Sequence, residues 1–289
     1  MLKLNTLLVE AGIDPHTTIV ARHRPFEPAL RKVMPWIAAE RPDLFKIYQQ
    51  THGLRLEGAL TKATTLVAFL GHEAKKALFV QVYDIHGARR IDHREFWAMP
   101  GNQKLKAHGM IGLGTDDPPP LFFDLQEAPA IDDWSGKLVV TWPGLERSWW
   151  RWADRNTIPV LAITEESQLV AGIPSWEKIV LNWSDLSVLP ASWRAALIQW
   201  RGVYYIYDTV VERGYVGSAS GTDNILGRWA NYAVTGHGGN KRLRSSVPAN
   251  LRFSILQRTS PDMEAKEVIA LEGLWKDRLH SREHGLNEN

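Results

Sequence analysis

The sequence predicts an α+β chain of two domains, on three observations. Its 289 residues exceed the roughly 150 of an ordinary single domain. Short apolar runs rich in β-branched and aromatic residues recur in both halves and read as strands. Between them lie segments whose apolar residues return every three or four positions, as on the buried face of a helix.

In chain order, residues 1–20 are short and mixed. From 28 to 52, Leu30, Val33, Trp36, Ile37, Leu44, Ile47 and Tyr48 keep helical spacing, and Pro42 opens a second helix after Glu40 and Arg41. Residues 64–70 and 77–85 read as two paired strands around a polar turn. Residues 137–142 and 158–164 read as two more. The stretch 112–120 ends in three successive prolines, which excludes a helix interior or central strand. An extended run at 176–183 and a short helix at 190–197 lead to a boundary near 195, giving domains of 1–195 and 196–289. The last third reads as strands at 202–208 and 214–220, a helix at 225–234 capped by Asp223 or Asn224, a strand at 251–256, and a long helix at 264–280. Its order is β-β-α-β-α.

Composition narrows the function. Hydrophobic residues at 44% and charged residues at 23% exclude wholesale disorder. The absence of cysteine excludes a disulfide framework, a thiolate nucleophile and Cys-ligated zinc. A formal net charge of +2 argues against a histone-like protein. It leaves nucleic acid open as a partner, since binding depends on where charge sits. No segment approaches the roughly 18 consecutive apolar residues of a membrane span, and the first fifteen residues lack the apolar core of a signal peptide. The expectation is a cytoplasmic protein with no membrane partner.

Gly202-Val203-Tyr204, followed by Tyr215-Val216-Gly217, resembles the paired motif of the GIY-YIG nuclease superfamily. The resemblance continues in order through Ser218, Arg228 and Tyr232 on the next helix, His237 in a glycine-rich loop, Glu272 on the last helix and Asn287 near the end. It covers 202–287, under a third of the chain. It implies a divalent-metal-dependent DNA endonuclease, a phosphodiester hydrolase with one Mg²⁺ or Mn²⁺ per active site. Its catalytic set would be Tyr204, Tyr215, Arg228, Tyr232, His237, Glu272 and Asn287, with Glu272 on the metal. One tyrosine, most often the one at Tyr204, would position or deprotonate the water, with Tyr232 a competing base. His237 would orient a phosphate or protonate the leaving group, and Asn287 would support the Glu272 end of the site.

The residue types suit that chemistry independently. Phosphodiester hydrolysis needs an activated water, a cation on the phosphate oxygens, neutralised transition-state charge and a protonated leaving 3′ oxygen. A single hard carboxylate, Glu272, suits a Mg²⁺ that keeps several waters. Arg228 offers a fork for the scissile phosphate. A phenol is a poor base at its free pKa of about 10, and a nearby cation with Arg228 favours phenolate. Taken singly, each residue has a plainer reading. Aromatic pairs on adjacent strands ordinarily pack, and Glu272 with Lys276 at i,i+4 is an ordinary helix ion pair. The ordered set is what points to catalysis.

In this superfamily, specificity ordinarily comes from an attached domain. Residues 1–195 are large enough for a target-recognition domain that reads a sequence or a modified base. Their strands, with basic residues nearby, loosely resemble a PUA-like barrel. Eleven of the thirteen tryptophans fall in residues 1–200, and Trp149, Trp150 and Trp152 form a dense cluster. This is either an aromatic base platform or a core helix with Trp149 and Trp152 on one side. Arg89, Arg90, Asn240, Lys241, Arg242 and Arg244 are expected to contact double-stranded DNA. Arg22-His23-Arg24 reads as a solvated loop. Restriction-type double-strand cutting would take a homodimer, permanent or formed on DNA, because each chain offers one site. The alternatives are a DNA-binding module with an inactive or regulated nuclease domain, and a structure-specific repair nickase.

Overall fold

A computed structural model describes residues 1–71, 73–144, 148–222, 224–235, 237, 238, 240 and 242–288. The chain is mixed α+β, 39% helix and 28% strand, with a curled half-barrel sheet. It divides into two units, Met1–Ala171 and Gly172–Asn289. Among the described residues no helix is long and apolar enough to cross a membrane.

The first unit begins with α1 (Leu4–Glu10) and β1 (Thr18–His23). The helices α2 (Pro28–Glu40), α3 (Pro42–Gln49) and α4 (Leu54–Leu60) follow. Next come β2 (Thr65–Gly71), β3 (Lys76–Arg90), α5 (His93–Ala98) and α6 (Pro100–Ala107). The unit ends with β4 (Leu121–Ala128), β5 (Leu138–Thr141), β6 (Trp150–Trp152) and β7 (Val160–Ile163). The sheet order is β6-β1-β2-β3-β5-β7, with β4 also on β3. β1 and β2 run parallel. Parallel neighbours need a long crossover, which α2 to α4 supply. All six residues of β1 and the first six of β2 are buried. That explains why β2 reads as an apolar run without alternation, whereas β1, which ends in Arg22 and His23, does not. Leu4, Leu7 and Leu8 of α1 join Val20, Val67, Phe69, Phe79 and Trp142 in one core.

The second unit contains β8 (Val180–Asn182), α7 (Ala191–Gln199), β9 (Arg201–Asp208), β10 (Arg213–Ala219), α8 (Asn224–Thr235), β11 (Leu251–Thr259) and α9 (Ala265–Arg278). Its antiparallel sheet has the order β10-β9-β11-β8. From β9 onward the elements follow the expected β-β-α-β-α order.

Four expectations need correction. The division falls at 171/172, not near 195, because β8 pairs with β11 and so ties the 180s to the second sheet. Trp176, Trp183, Trp193 and Trp200 therefore belong to the second unit, and the tryptophan excess is shared. The segment expected as a solvated Arg22-His23-Arg24 loop instead closes β1, with Arg22 and His23 only 2% and 3% exposed. The Arg22 guanidinium folds back to donate to the Lys76 and Glu73 carbonyls at 3.0 and 3.3 Å. The tryptophan cluster is not a helix: Trp150–Trp152 form a short strand on β1. Strands β1 and β4 and helices α4 to α6 were not anticipated. Asp223, one of the two expected caps, lies outside the described residues.

Candidate active site

The two glycine motifs fit together through strand register. β9 and β10 pair so that Gly217 faces Tyr204 directly. The Tyr204 ring lies over the Gly217 backbone, and a Cβ there would sit 2.5 Å from the phenol oxygen. The glycine of the second motif thus makes room for the tyrosine of the first. Gly202 has φ +150°, and a Cβ there would overlap the Gln257 carbonyl oxygen. It faces β11 just past a bulge between Ile255 and Gln257. Both positions are glycine because another backbone or ring occupies the Cβ space.

That register gathers three tyrosines. Ring centroids lie 6.5 Å apart for Tyr204 and Tyr215, 6.2 Å for Tyr204 and Tyr232, and 5.9 Å for Tyr215 and Tyr232. The Tyr204 hydroxyl donates to the Tyr232 hydroxyl at 3.4 Å, and Tyr215 also hydrogen-bonds Tyr232. Tyr232 therefore links the three hydroxyls. Tyr204 and Tyr232 are buried, whereas Tyr215 is half-exposed. Burial pushes all three phenols above their ordinary value. Arg228, one turn before Tyr232 on α8, pulls each of them down, but by less than burial raises them. The expected bias toward phenolate is therefore outweighed within the protein itself. At neutral pH the cluster is a set of hydroxyls that donate and accept, not a resident base.

α9 brings Glu272 to the same sheet. Its Oε2 accepts from the Ser218 hydroxyl, and its Oε1 lies 2.8 Å from the Lys276 ammonium. Glu272 is also electrostatically coupled to Tyr204 and Tyr215. Ser218 directly follows the second motif but gave no sign of its role, because the contact spans β10 and α9. Asn287 fastens the tail to the same strand. Its Oδ1 accepts from the Val216 N–H at 2.9 Å and its Nδ2 donates to the Val216 carbonyl at 2.8 Å. It is 1% exposed and acts as a strand-edge partner beside Tyr215.

The expected basic contacts divide by role. His237 is half-buried, and its backbone N–H donates to the Thr235 hydroxyl at 3.3 Å. The adjacent Gly238 packs against the Tyr232 ring. The Asn240 side chain is committed to its own loop, accepting from the Arg242 and Leu243 N–H groups at 2.8 and 3.2 Å and donating to the Leu286 carbonyl at 3.2 Å. Arg242 and Arg244 are exposed. Lys241 lies outside the described residues. In the first unit, Arg89 pairs with Glu95. Arg90 donates to the Pro119 carbonyl at 2.5 Å and lies 3.8 Å from Glu57.

The donor set at Glu272 suits a hard divalent cation. It is a single carboxylate with a hydroxyl beside it, and it is held in place on both oxygens. Among the described residues no three His, Cys, Asp or Glu gather. A cation here would thus take one protein carboxylate and complete its shell with water, as Mg²⁺ readily does.

The first unit holds a cavity of about 790 Å³ whose lining includes His23, His52, Tyr48, Phe26 and Trp149. The tryptophan cluster is therefore split, since Trp150 and Trp152 are not among the lining residues. Instead the Arg155 guanidinium stacks over Trp152 at 5.3 Å. Nothing in the sequence links the two histidines. They lie on β1 and on the connection between α3 and α4, and only the fold joins them.

Burial lowers both imidazoles below their ordinary value, His52 to about 4, and His52 lowers His23 further. As pH falls below 6.5, the unfolded chain binds protons that the folded chain refuses, so stability drops. His52 alone is expected to cost about 3 kcal/mol between pH 6.5 and 4, with His23 adding in the same direction. Urea unfolding of the full chain at several pH values tests this. His52→Phe should flatten the acid slope, and an unchanged slope would contradict the assignment.

No family model, curated protein or solved structure matches the chain.

Proposed function

We propose that the chain is a divalent-metal-dependent DNA endonuclease of GIY-YIG type, in which residues 172–289 cut and the first unit selects the target. The observation that carries this reading is the meeting of Tyr204, Tyr215, Tyr232, Arg228 and Glu272 across β9, β10, α8 and α9. Glu272 would hold Mg²⁺ or Mn²⁺, which when bound polarises phosphate oxygens and offsets developing charge. Arg228 binds the scissile phosphate through its guanidinium fork. Tyr215, the half-exposed member of the hydroxyl cluster, orients the attacking water, and Tyr232 and Tyr204 fix its position. His237 lies in the loop packed on Tyr232, where it can serve the leaving oxygen. The exposed Arg242 and Arg244 supply phosphate contacts along double-stranded DNA. The first unit reads a sequence or modified base on a PUA-like sheet, and a homodimer forms at the cut site.

The engagement of both Glu272 oxygens by Ser218 and Lys276 favours a second reading, in which the nuclease is restrained until substrate or metal displaces one contact. Both readings are tested by incubating the full chain, with Mg²⁺, against genomes carrying different base modifications and mapping the ends. Cleavage at defined positions on at least one genome supports the endonuclease. Tight binding with no cut on any of them supports the restrained form, and neither binding nor cutting rejects both.

A further inference from the structure

We infer that the cavity of the first unit is a nucleobase-binding site, built on the stacked pair His23 and His52. The inference rests on the proposed DNA function only for the source of the base. The chemistry of the pocket stands by itself.

Four of the aromatic rings that line the cavity meet at one end of it, and the buried Phe45 backs them from the core. His23 and His52 stack at 5.7 Å with an interplanar angle of 21°. Trp149 lies 5.4 Å from His23 and 5.9 Å from His52, and Tyr48 and Phe45 meet His23 edge-on at 5.7 and 6.4 Å. Flat aromatic walls select a flat ligand. Phe26, 70% exposed, and Leu54, 63% exposed, add apolar surface to the same lining.

The polar atoms narrow the ligand further. The Nε2 of both histidines is buried with no hydrogen-bond partner in the protein. An unsatisfied buried polar atom costs about 1–3 kcal/mol, so two on facing rings in one pocket call for an explanation. His52 also hydrogen-bonds the Gln49 backbone. With Nε2 unpartnered, that bond belongs to Nδ1 and fixes the proton there. In the neutral ring Nε2 is then an in-plane acceptor. The partner this buried acceptor lacks is an in-plane N–H, of the kind that the amino or ring N–H groups of nucleobases offer.

The two buried carboxylates of the lining, Glu27 and Glu57, are already used, so they do not define a cation site. Glu27 accepts from the Ile111 N–H at 3.0 Å and Glu57 from the Leu121 N–H at 2.8 Å. These bonds, with Arg90 on the Pro119 carbonyl, hold both ends of the triple-proline loop as a fixed wall. Arg90 is thus a positioning residue for the cavity. The exposed Arg24 belongs to the same lining and suits the phosphate attached to a base. A volume of about 790 Å³ lies in the range of sites that enclose a whole small molecule, and it leaves room for a sugar and phosphate.

The base could be extruded from DNA or come from a free nucleotide, and two arms separate these sources. The full chain carrying Glu272→Gln is irradiated with duplexes containing 5-iodouracil or 5-iodocytosine, and the adducts are mapped. In parallel, nucleoside 5′-monophosphates are titrated by saturation-transfer NMR. Each arm is repeated with His52→Phe, which keeps a ring but deletes the acceptor, and with Trp149→Phe, both checked to melt no lower than the parent. Adducts at Trp149 or Tyr48, with binding weakened about tenfold by His52→Phe, support an extruded base. His52-dependent nucleotide binding without duplex adducts supports the pocket with a free nucleotide as ligand, and counts against the DNA reading alone. If adducts fall only within 172–289 and nucleotides bind no better to the parent than to the two variants, the inference is overturned.

Discussion

Glu272→Gln is expected to lower DNA cleavage about 10³-fold while leaving DNA binding nearly intact. The amide keeps the shape of the carboxylate and can still accept from Ser218. It removes the charge that faces Lys276 at 2.8 Å and that would hold the cation. The two side chains are 10% and 14% exposed, so the lost ion pair costs about 1–2 kcal/mol after partial solvent screening. Activity should therefore be normalised to the folded fraction. A loss of cleavage that tracks only the loss of folded protein would show that Glu272 is structural.

Gly202→Ala is expected to destabilise the second unit by about 3–5 kcal/mol. The methyl group would meet the Gln257 carbonyl and the Arg258 backbone, neither of which can rotate away as a side chain would. Relief requires β9 to separate from β11 next to the bulge, at the base of the strand that carries Tyr204. Hydrogen exchange of the full chain should show lost protection in peptides from β9 and β11 and unchanged protection in β1 and β2. Gly217→Ala should be milder in stability, since the Tyr204 ring can tilt, but should displace the Tyr204 hydroxyl from Tyr232. Native-like protection in β9 of Gly202→Ala would contradict this assignment.

The second unit was legible because its information is local. β9 and β10, only four residues apart, pair as neighbours, and their register sets Gly217 against Tyr204. The first unit hid β1, the strand next to its β6 edge. β1 pairs in parallel with β2 across three helices, so nothing near residues 18–23 announces its partner. Its last residues are Arg22 and His23, and cationic residues suggest solvent when seen singly. Only the fold shows that the Arg22 guanidinium is satisfied by two carbonyls and that His23 stacks on His52. Trp149 to Trp152 were ambiguous between helix and platform because three residues are too few to fix a period. The boundary was placed late because β8 is three residues long and its partner, β11, lies some 70 residues onward. The direction of the tyrosine shifts was also not readable, since the effect of Arg228 could be foreseen but the depth of burial could not.

The most direct test of the nuclease reading is the conversion of supercoiled plasmid by the purified full chain with Mg²⁺, beside the same protein in EDTA. Nicked or linear DNA that appears only with the metal, and carries 3′-hydroxyl ends, is the expected result. Plasmid that stays supercoiled with Mg²⁺ and with Mn²⁺, while modified genomic DNA is also left intact, would contradict it.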